Sequence, residues 1–214
     1  MFDVALVEQC TTEVAPQTMQ TLIDVESSGN PFAIAAVGVD VISTPEGKEE
    51  AIESAKSLMS QGYNISLGLG QINMHNFEAL GLTLSNVFDP CTNIQAADKI
   101  LSDCYQRAAA EFDDGQRALQ AAFSCYYSNN FSRGFEPDDS NGNSYVQRVA
   151  ASHERLSVPQ INFDRSDIDD HRGGETSKQD DGNTEEEPHK EIRAIENFES
   201  SEKGGWDVFQ DFTG

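Results

Sequence analysis

Leu22-Ile23-Asp24-Val25-Glu26-Ser27-Ser28-Gly29-Asn30-Pro31 is the stretch on which the reading of this chain turns. Met19, Leu22, Ile23, Val25 and Glu26 include spacings of three and four residues, the period of one helix face, and Pro16 suits a first helical position. The pattern predicts a core helix over residues 17–28. Ser-Ser-Gly-Asn-Pro ends it, because Gly and Asn suit a left-handed cap and Pro31 cannot extend a helix. A carboxyl, that of Glu26, is thereby fixed at the rim of a packed helix beside a loop. Taken alone, such a Glu is more often a solvated surface group than a catalytic one.

Two later stretches change its weight. Gly68-Leu69-Gly70-Gln71-Ile72-Asn73 follows the run Tyr63 to Leu67, and Ala122-Phe123-Ser124-Cys125-Tyr126-Tyr127-Ser128-Asn129-Asn130 comes about fifty residues later. Glu-Ser-x-x-Asn-Pro, Gly-Leu-x-Gln-Ile and the Tyr segment, in that order, resemble the soluble lytic transglycosylases, relatives of goose-type lysozyme. The Ser-Cys-Tyr segment, followed by Tyr145-Val146, is most similar to the transglycosylases that accompany type IV secretion and conjugation systems. The resemblance covers roughly residues 9 to 155.

The resemblance implies a mainly α, lysozyme-like domain with a small β ribbon, acting in the periplasm on the glycan strands of peptidoglycan. It makes Glu26 the catalytic acid and places Ser27, Gln71, Tyr126, Tyr127 and Tyr145 around the substrate. Ser27 would bond the acetamido group, Gln71 the sugar or peptide stem, and Tyr126 and Tyr145 would orient the sugar or Glu26. The chain departs from the family where Gly70 stands in place of the usual Met and where Cys125-Tyr126-Tyr127 replaces Ala-Tyr-Asn. Core packing is the alternative reading of Tyr126 and Tyr127.

The residues themselves support this chemistry. A carboxylic acid delivers a proton to a glycosidic oxygen at neutral pH only if an apolar wall raises its pKa, and Leu22, Ile23 and Val25 can supply one. Ordinary glycosidases add a second carboxylate. Asp24, two residues away, falls on another side of the helix and is a poor second member. Lytic transglycosylases need none, since the substrate's own acetamido and 6-hydroxyl groups attack. A weakly active wall-binding scaffold and a hydrolytic lysozyme remain the alternatives.

Charge narrows the partners. Residues 1–160 hold 21 acidic and 8 basic side chains, and residues 161–214 hold 16 and 6, within a net charge of −23. No basic stripe is present to neutralise phosphates, which argues against nucleic acid and against an anionic membrane surface. No apolar run approaches a bilayer span, so the chain does not read as an integral membrane protein. The start, Met1 to Cys10, lacks a basic n-region and a long enough apolar run for a signal peptide. Export would use a leader outside this sequence or another route.

Four cysteines, at 10, 91, 104 and 125, contain no Cys-x-x-Cys. Two disulfides in an oxidising compartment and four buried thiols are both open readings. If they pair, Cys104 and Cys125 lie on helices joined by a turn near Asp113-Asp114, and antiparallel packing brings them together. Cys10 and Cys91 are then the second pair. His75, His153, His171 and His189 lack zinc-ligand spacing, and no phosphate loop or EF-hand pattern appears, so no metal ligand and no cofactor is named.

The remaining pattern sets the architecture. Residues 32–42 read as extended, a helix opens at Thr44-Pro45 and runs to Ser60, and Tyr63 to Leu67 returns as a strand. Helices are expected over Ile72 to Leu80, from an Asn93 cap to about Ala110, over Gln116 to Tyr127 and over Ser144 to Leu156, with a loop at 132–143. The catalytic domain is placed at 1–158. Residues 159–214 form an acidic tail with too few apolar groups to offset chain entropy, read as disordered. Its end carries Trp206, Phe209 and Phe212, read either as an anchor for a secretion-apparatus subunit or as a solvated terminus.

Overall fold

The computed structural model describes residues 4–39 and 44–157. Helix α1 (Val4–Cys10) leads into α2 (Pro16–Ser27), and α2 buries Thr18, Met19, Thr21, Leu22 and Ile23. This is the face that the apolar spacing predicts. The α1–α2 connection is tied down by Asp98, itself buried. Its carboxylate accepts from the backbone N–H groups of Thr12, Glu13 and Val14, at 2.8–3.0 Å, and from the Thr12 hydroxyl. Buried N–H groups must find such partners or carry the full cost of desolvation.

Three short strands follow: β1 (Ile34–Ala36), β2 (Ile65–Leu67) and β3 (Ile72–Asn73), in the order β1-β2-β3 and antiparallel throughout. Helix α3 (Lys48–Ser60) lies between β1 and β2 in sequence. Ile34 pairs with Leu67 and Ala36 with Ile65, while Leu67 pairs with Ile72. The expected two-stranded ribbon is therefore a three-stranded sheet. Ile72 starts no helix: it is buried as a strand residue, and Asn73 caps a 3-10 turn (Met74–Asn76) by accepting from the His75 N–H. Helix α4 (Phe77–Leu80) then ends at Gly81, in the left-handed conformation at φ 64°.

Two helix starts also differ from expectation. Helix α3 begins at Lys48 behind Gly47, not at Thr44-Pro45, because the Glu50 carboxylate reaches back to the Glu46 N–H at 2.8 Å. Helix α5 (Pro90–Ala109) begins at Pro90, with Asp89 as its cap accepting from the Thr92 N–H. Asn93 is released from capping and turned into the core, where it is 1% exposed. Extended structure in residues 32–42 is confined to Ile34–Ala36 among the described residues.

Helices α5 and α6 (Gly115–Ser128) form the central hairpin, burying Ile94, Ala97, Leu101, Leu119, Ala122 and Phe123. The Cys104–Cys125 disulfide crosses it with Cα atoms 5.7 Å apart, and Cys10–Cys91 ties α1 to α5 at 5.3 Å. These are the two pairs named from the sequence. After a 3-10 turn (Arg133–Phe135), helix α7 (Tyr145–Ser157) packs antiparallel on α2. Gln17 meets Ser157, Asp24 meets Ser152, and Glu26 meets Tyr145. Among the described residues, no helix is long and apolar enough to cross a membrane. The acidic tail and its aromatic end lie outside the described residues.

Candidate active site

Helices α2, α6 and α7 converge on Glu26, and the β2–β3 turn joins them through Tyr126. Helix α2 delivers Glu26 in its last turn, and Ser28 closes the helix in a left-handed conformation with its N–H on the Asp24 carbonyl at 3.1 Å. The Asn30 side chain then accepts from the Phe32 N–H at 2.9 Å and turns the chain away. This breaker leaves the Glu26 carboxyl at the rim, partly exposed as a residue but with protein packed around its oxygens.

Helix α7 supplies Tyr145, 2% exposed, whose hydroxyl donates to Glu26 Oε1 at 2.5 Å. Helix α6 supplies Tyr126, close enough for the Glu26 charge to act on its phenol. Burial and that charge hold the pKa of both phenols well above 10, so both keep their protons and serve as donors. Tyr126 donates to the Gly70 carbonyl at 2.7 Å, which links α6 to the β2–β3 turn.

That turn is built around Asn93 from α5. Its Oδ1 accepts from the Gly70 N–H at 2.8 Å, and its Nδ2 donates to the Leu67 and Val87 carbonyls at 3.0 and 2.8 Å. Gly68 adopts φ +79°, and a Cβ there would fall 2.2 Å from Asn93 Nδ2. Gly70 is also crowded: a Cβ would fall 2.8 Å from the Ala97 Cβ and 2.9 Å from the Tyr126 hydroxyl. Gln71 follows with φ +48°, a left-handed position that a non-glycine residue holds only under constraint. Its amide nitrogen donates to the Ala33 and Gly68 carbonyls at 3.2 and 2.9 Å, which ties the side chain to the chain before β1 and to the turn itself.

The electrostatics of Glu26 follow from these neighbours. Desolvation is the largest influence and raises the pKa from 4.5 to about 7. The Tyr145 hydrogen bond and the positive charge of Arg148 oppose it and hold it no higher. Asp24 does not share the site: it accepts from Ser152 Oγ at 2.6 Å and pairs with Arg155. Asp138 is likewise paired, with Arg148. The arrangement is one carboxyl balanced between its two protonation states at neutral pH, beside two protonated phenols, with neither nearby aspartate turned towards it.

The sequence profile described as Transglycosylase SLT domain matches residues 3–127. The chain belongs to the SLT transglycosylase family. Its relatives include the type IV secretion system protein virB1 of Brucella abortus, 45% identical over 155 residues, which are 72% of this chain and 65% of that protein. The corresponding protein of Brucella suis matches to the same extent. Protein virB1 of Agrobacterium fabrum is 29% identical over 151 residues, 71% of this chain and 59% of that protein. The chain thus spans less than two thirds of the length of these relatives. No solved structure matches it at a significant level.

Within this SLT chain the predicted site residues fall into four groups. Glu26, Tyr145 and Tyr126 are brought together directly. Gln71 is carried to the same region through Gly70, which Tyr126 contacts. Ser27 adjoins Glu26 in sequence, but its hydroxyl donates back to the Ile23 carbonyl at 3.2 Å. Tyr127 is placed differently from a simple substrate contact: its ring stacks on that of Tyr145. Asn93, Asp138 and Arg148 were not singled out from the sequence. For Asn93 a signal existed, since Asp89-Pro90 already supplies a cap and a first helical residue and leaves Asn93 without a capping role. Arg148 follows Tyr145 by one helical step on α7, and a cation at that spacing beside a candidate aromatic was the available sign.

Proposed function

We propose that this SLT protein is a peptidoglycan lytic transglycosylase, which cleaves the β-1,4 bond between MurNAc and GlcNAc and leaves a 1,6-anhydro end. The observation that carries the reading is a single carboxyl with a pKa of about 7, with Asp24 and Asp138 both engaged by other partners. One group of that pKa can act as acid and then as base at neutral pH. Protonated Glu26 gives its proton to the glycosidic oxygen as the C1–O bond breaks, and the substrate's acetamido oxygen closes on C1. The Glu26 carboxylate then takes the proton of the 6-hydroxyl, whose oxygen attacks C1 and displaces the acetamido oxygen. Glu26 ends protonated and no water is consumed. The Tyr145 hydroxyl stabilises the carboxylate between the two transfers.

Binding falls to the residues around it. The Gln71 Oε1 accepts from a sugar hydroxyl or a peptide N–H, and Ser27 offers its hydroxyl oxygen. Tyr126 shapes the floor through Gly70. Cleavage should fall as pH rises through about 7, because the free enzyme must hold the Glu26 proton to begin. Muropeptide release from purified wall across pH 5–9 reads this directly, and release that is flat or rising through neutrality contradicts the role of Glu26 as the acid.

The setting proposed is the periplasm, where local opening of the wall would make room for a type IV secretion or conjugation apparatus. The name of the Brucella relatives, type IV secretion system protein virB1, supports the secretion setting. Residues 159–214 are proposed to recruit the protein to the apparatus through Trp206, Phe209 and Phe212. Truncation after Leu156 should then leave muropeptide release near normal and weaken co-purification with apparatus subunits. Unchanged co-purification refutes the recruiting role.

A further inference from the structure

Tyr127 lies at the rim, 40% exposed, yet its ring is committed. It stacks on Tyr145 with centroids 4.7 Å apart and planes 15° from parallel. Its hydroxyl faces the Asp138 carboxylate, which raises the pKa of the phenol and is itself held low by Arg148. Asp138 pairs with both terminal nitrogens of Arg148. The Arg148 guanidinium returns to Tyr145, 5.6 Å from the ring centroid. Three side chains, Tyr127, Asp138 and Arg148, therefore surround the Tyr145 phenol that donates to Glu26.

This set is anchored at both ends. Asp138 begins a turn in which Pro137 pairs with Ser144 and the Asp139 carboxylate accepts from the Asn141 and Asn143 N–H groups at 2.9 and 2.7 Å. Arg148 stands in the first turn of α7, its N–H on the Ser144 carbonyl at 3.0 Å. The Asp138 and Arg148 side chains are only 13% and 32% exposed, so this pair is screened less than an ordinary surface ion pair.

We propose that Tyr127, with Asp138 and Arg148, is a positioning residue that fixes the Tyr145 phenol on the Glu26 carboxyl. A phenol hydroxyl points where its ring torsions allow, and a flat stack on one neighbour with a cation beside the ring removes that freedom. The inference rests on the reading of Glu26 as the proton carrier. It also accounts for the departure at this position, since the Asn usual in the family offers no ring to stack. The groups acting on Glu26 are Tyr145 and Arg148 from α7 and Tyr126 from α6, while Asp24 on its own helix is paired with Arg155. Tyr127 is not among them, so its influence on Glu26 must pass through Tyr145 and Arg148.

The test uses the full chain, with carboxyl-labelled glutamate followed by NMR through a pH titration, the Glu26 signal being assigned by its loss in Glu26→Gln. Tyr127→Ala should raise the Glu26 midpoint, because the Tyr145 bond that holds it down is loosened. On purified glycan strands Tyr127→Ala should lower kcat roughly tenfold, with KM within about twofold. Tyr127→Phe keeps the stack and loses only the hydroxyl facing Asp138, so it should give smaller changes of the same sign. An unmoved midpoint in Tyr127→Ala overturns the proposal. So does a raised KM with unchanged kcat, which would make Tyr127 a substrate contact. A wild-type protein with no turnover would remove the catalytic reading, and the titration would still decide the positioning of Glu26.

Discussion

Glu26→Gln should abolish release of muropeptides while making the protein more stable above neutral pH. The first effect follows from the chemistry: an amide keeps the shape and still accepts from Tyr145 but has no proton to give. General acid–base catalysis is worth roughly 10²–10⁴ in rate, and here both proton transfers pass through one residue. The second effect follows from linkage. The folded-state pKa of Glu26 is raised from 4.5 to about 7, so the folded protein favours the protonated form more than the unfolded chain does. The stability that goes with this is fully present below 4.5 and is lost as pH rises through 7. A neutral Gln does not suffer that loss. Above pH 7 the variant should gain on the order of 2–3 kcal/mol in urea unfolding, with the gain vanishing towards pH 4. A variant that keeps activity within about threefold of wild type, or that loses stability at pH 8, contradicts the description of this site.

The second large effect is expected at Asn93, a residue that touches no substrate. Asn93→Ala leaves the Gly70 N–H and the Leu67 and Val87 carbonyls without their side-chain partner, all facing a cavity beside Gly68. Each orphaned buried group costs about 1–3 kcal/mol, so a total near 3–5 kcal/mol is expected. Asn93→Asp should fail too: it retains an acceptor for Gly70 but turns an oxygen towards two carbonyls. Because Gly70 also receives the Tyr126 hydroxyl and precedes Gln71, the loss should include activity at temperatures where the chain is still folded. Urea unfolding under non-reducing conditions measures the stability. A change below about 1 kcal/mol would show that the β2–β3 turn holds itself in place.

These two residues mark what the sequence discloses and what it does not. The helix carrying Glu26 was legible because its signals are local: apolar spacing over Met19 to Val25, Pro16 before it and a breaker after it. The Cys104–Cys125 pair was legible because a hairpin of two helices fixes which residues face each other. Asn93 was misread because a polar residue near a helix start has two uses, capping and core bonding, and only the register of Asp89-Pro90 separates them. The strand at Ile72–Asn73 was misread as helix because two residues carry no period, and its state is decided by pairing with Leu67 and Ser66. The Asp138–Arg148 pair was invisible for another reason. Its meaning lies in contacts with Tyr127 and Tyr145, brought together by helices α6 and α7, and no local pattern encodes that closure.

On the proposed function one carboxyl, with no second carboxylate and no water, cuts the glycan strand. Mass spectrometry of the fragments released by the full chain from purified peptidoglycan tests this most directly. Muramoyl ends in the 1,6-anhydro form, one water lighter than hydrolysed ends, are expected, and none in Glu26→Gln digests. Reducing ends instead would make the protein a hydrolytic lysozyme, and no released fragments at all would make it a wall-binding scaffold; either result contradicts the claim.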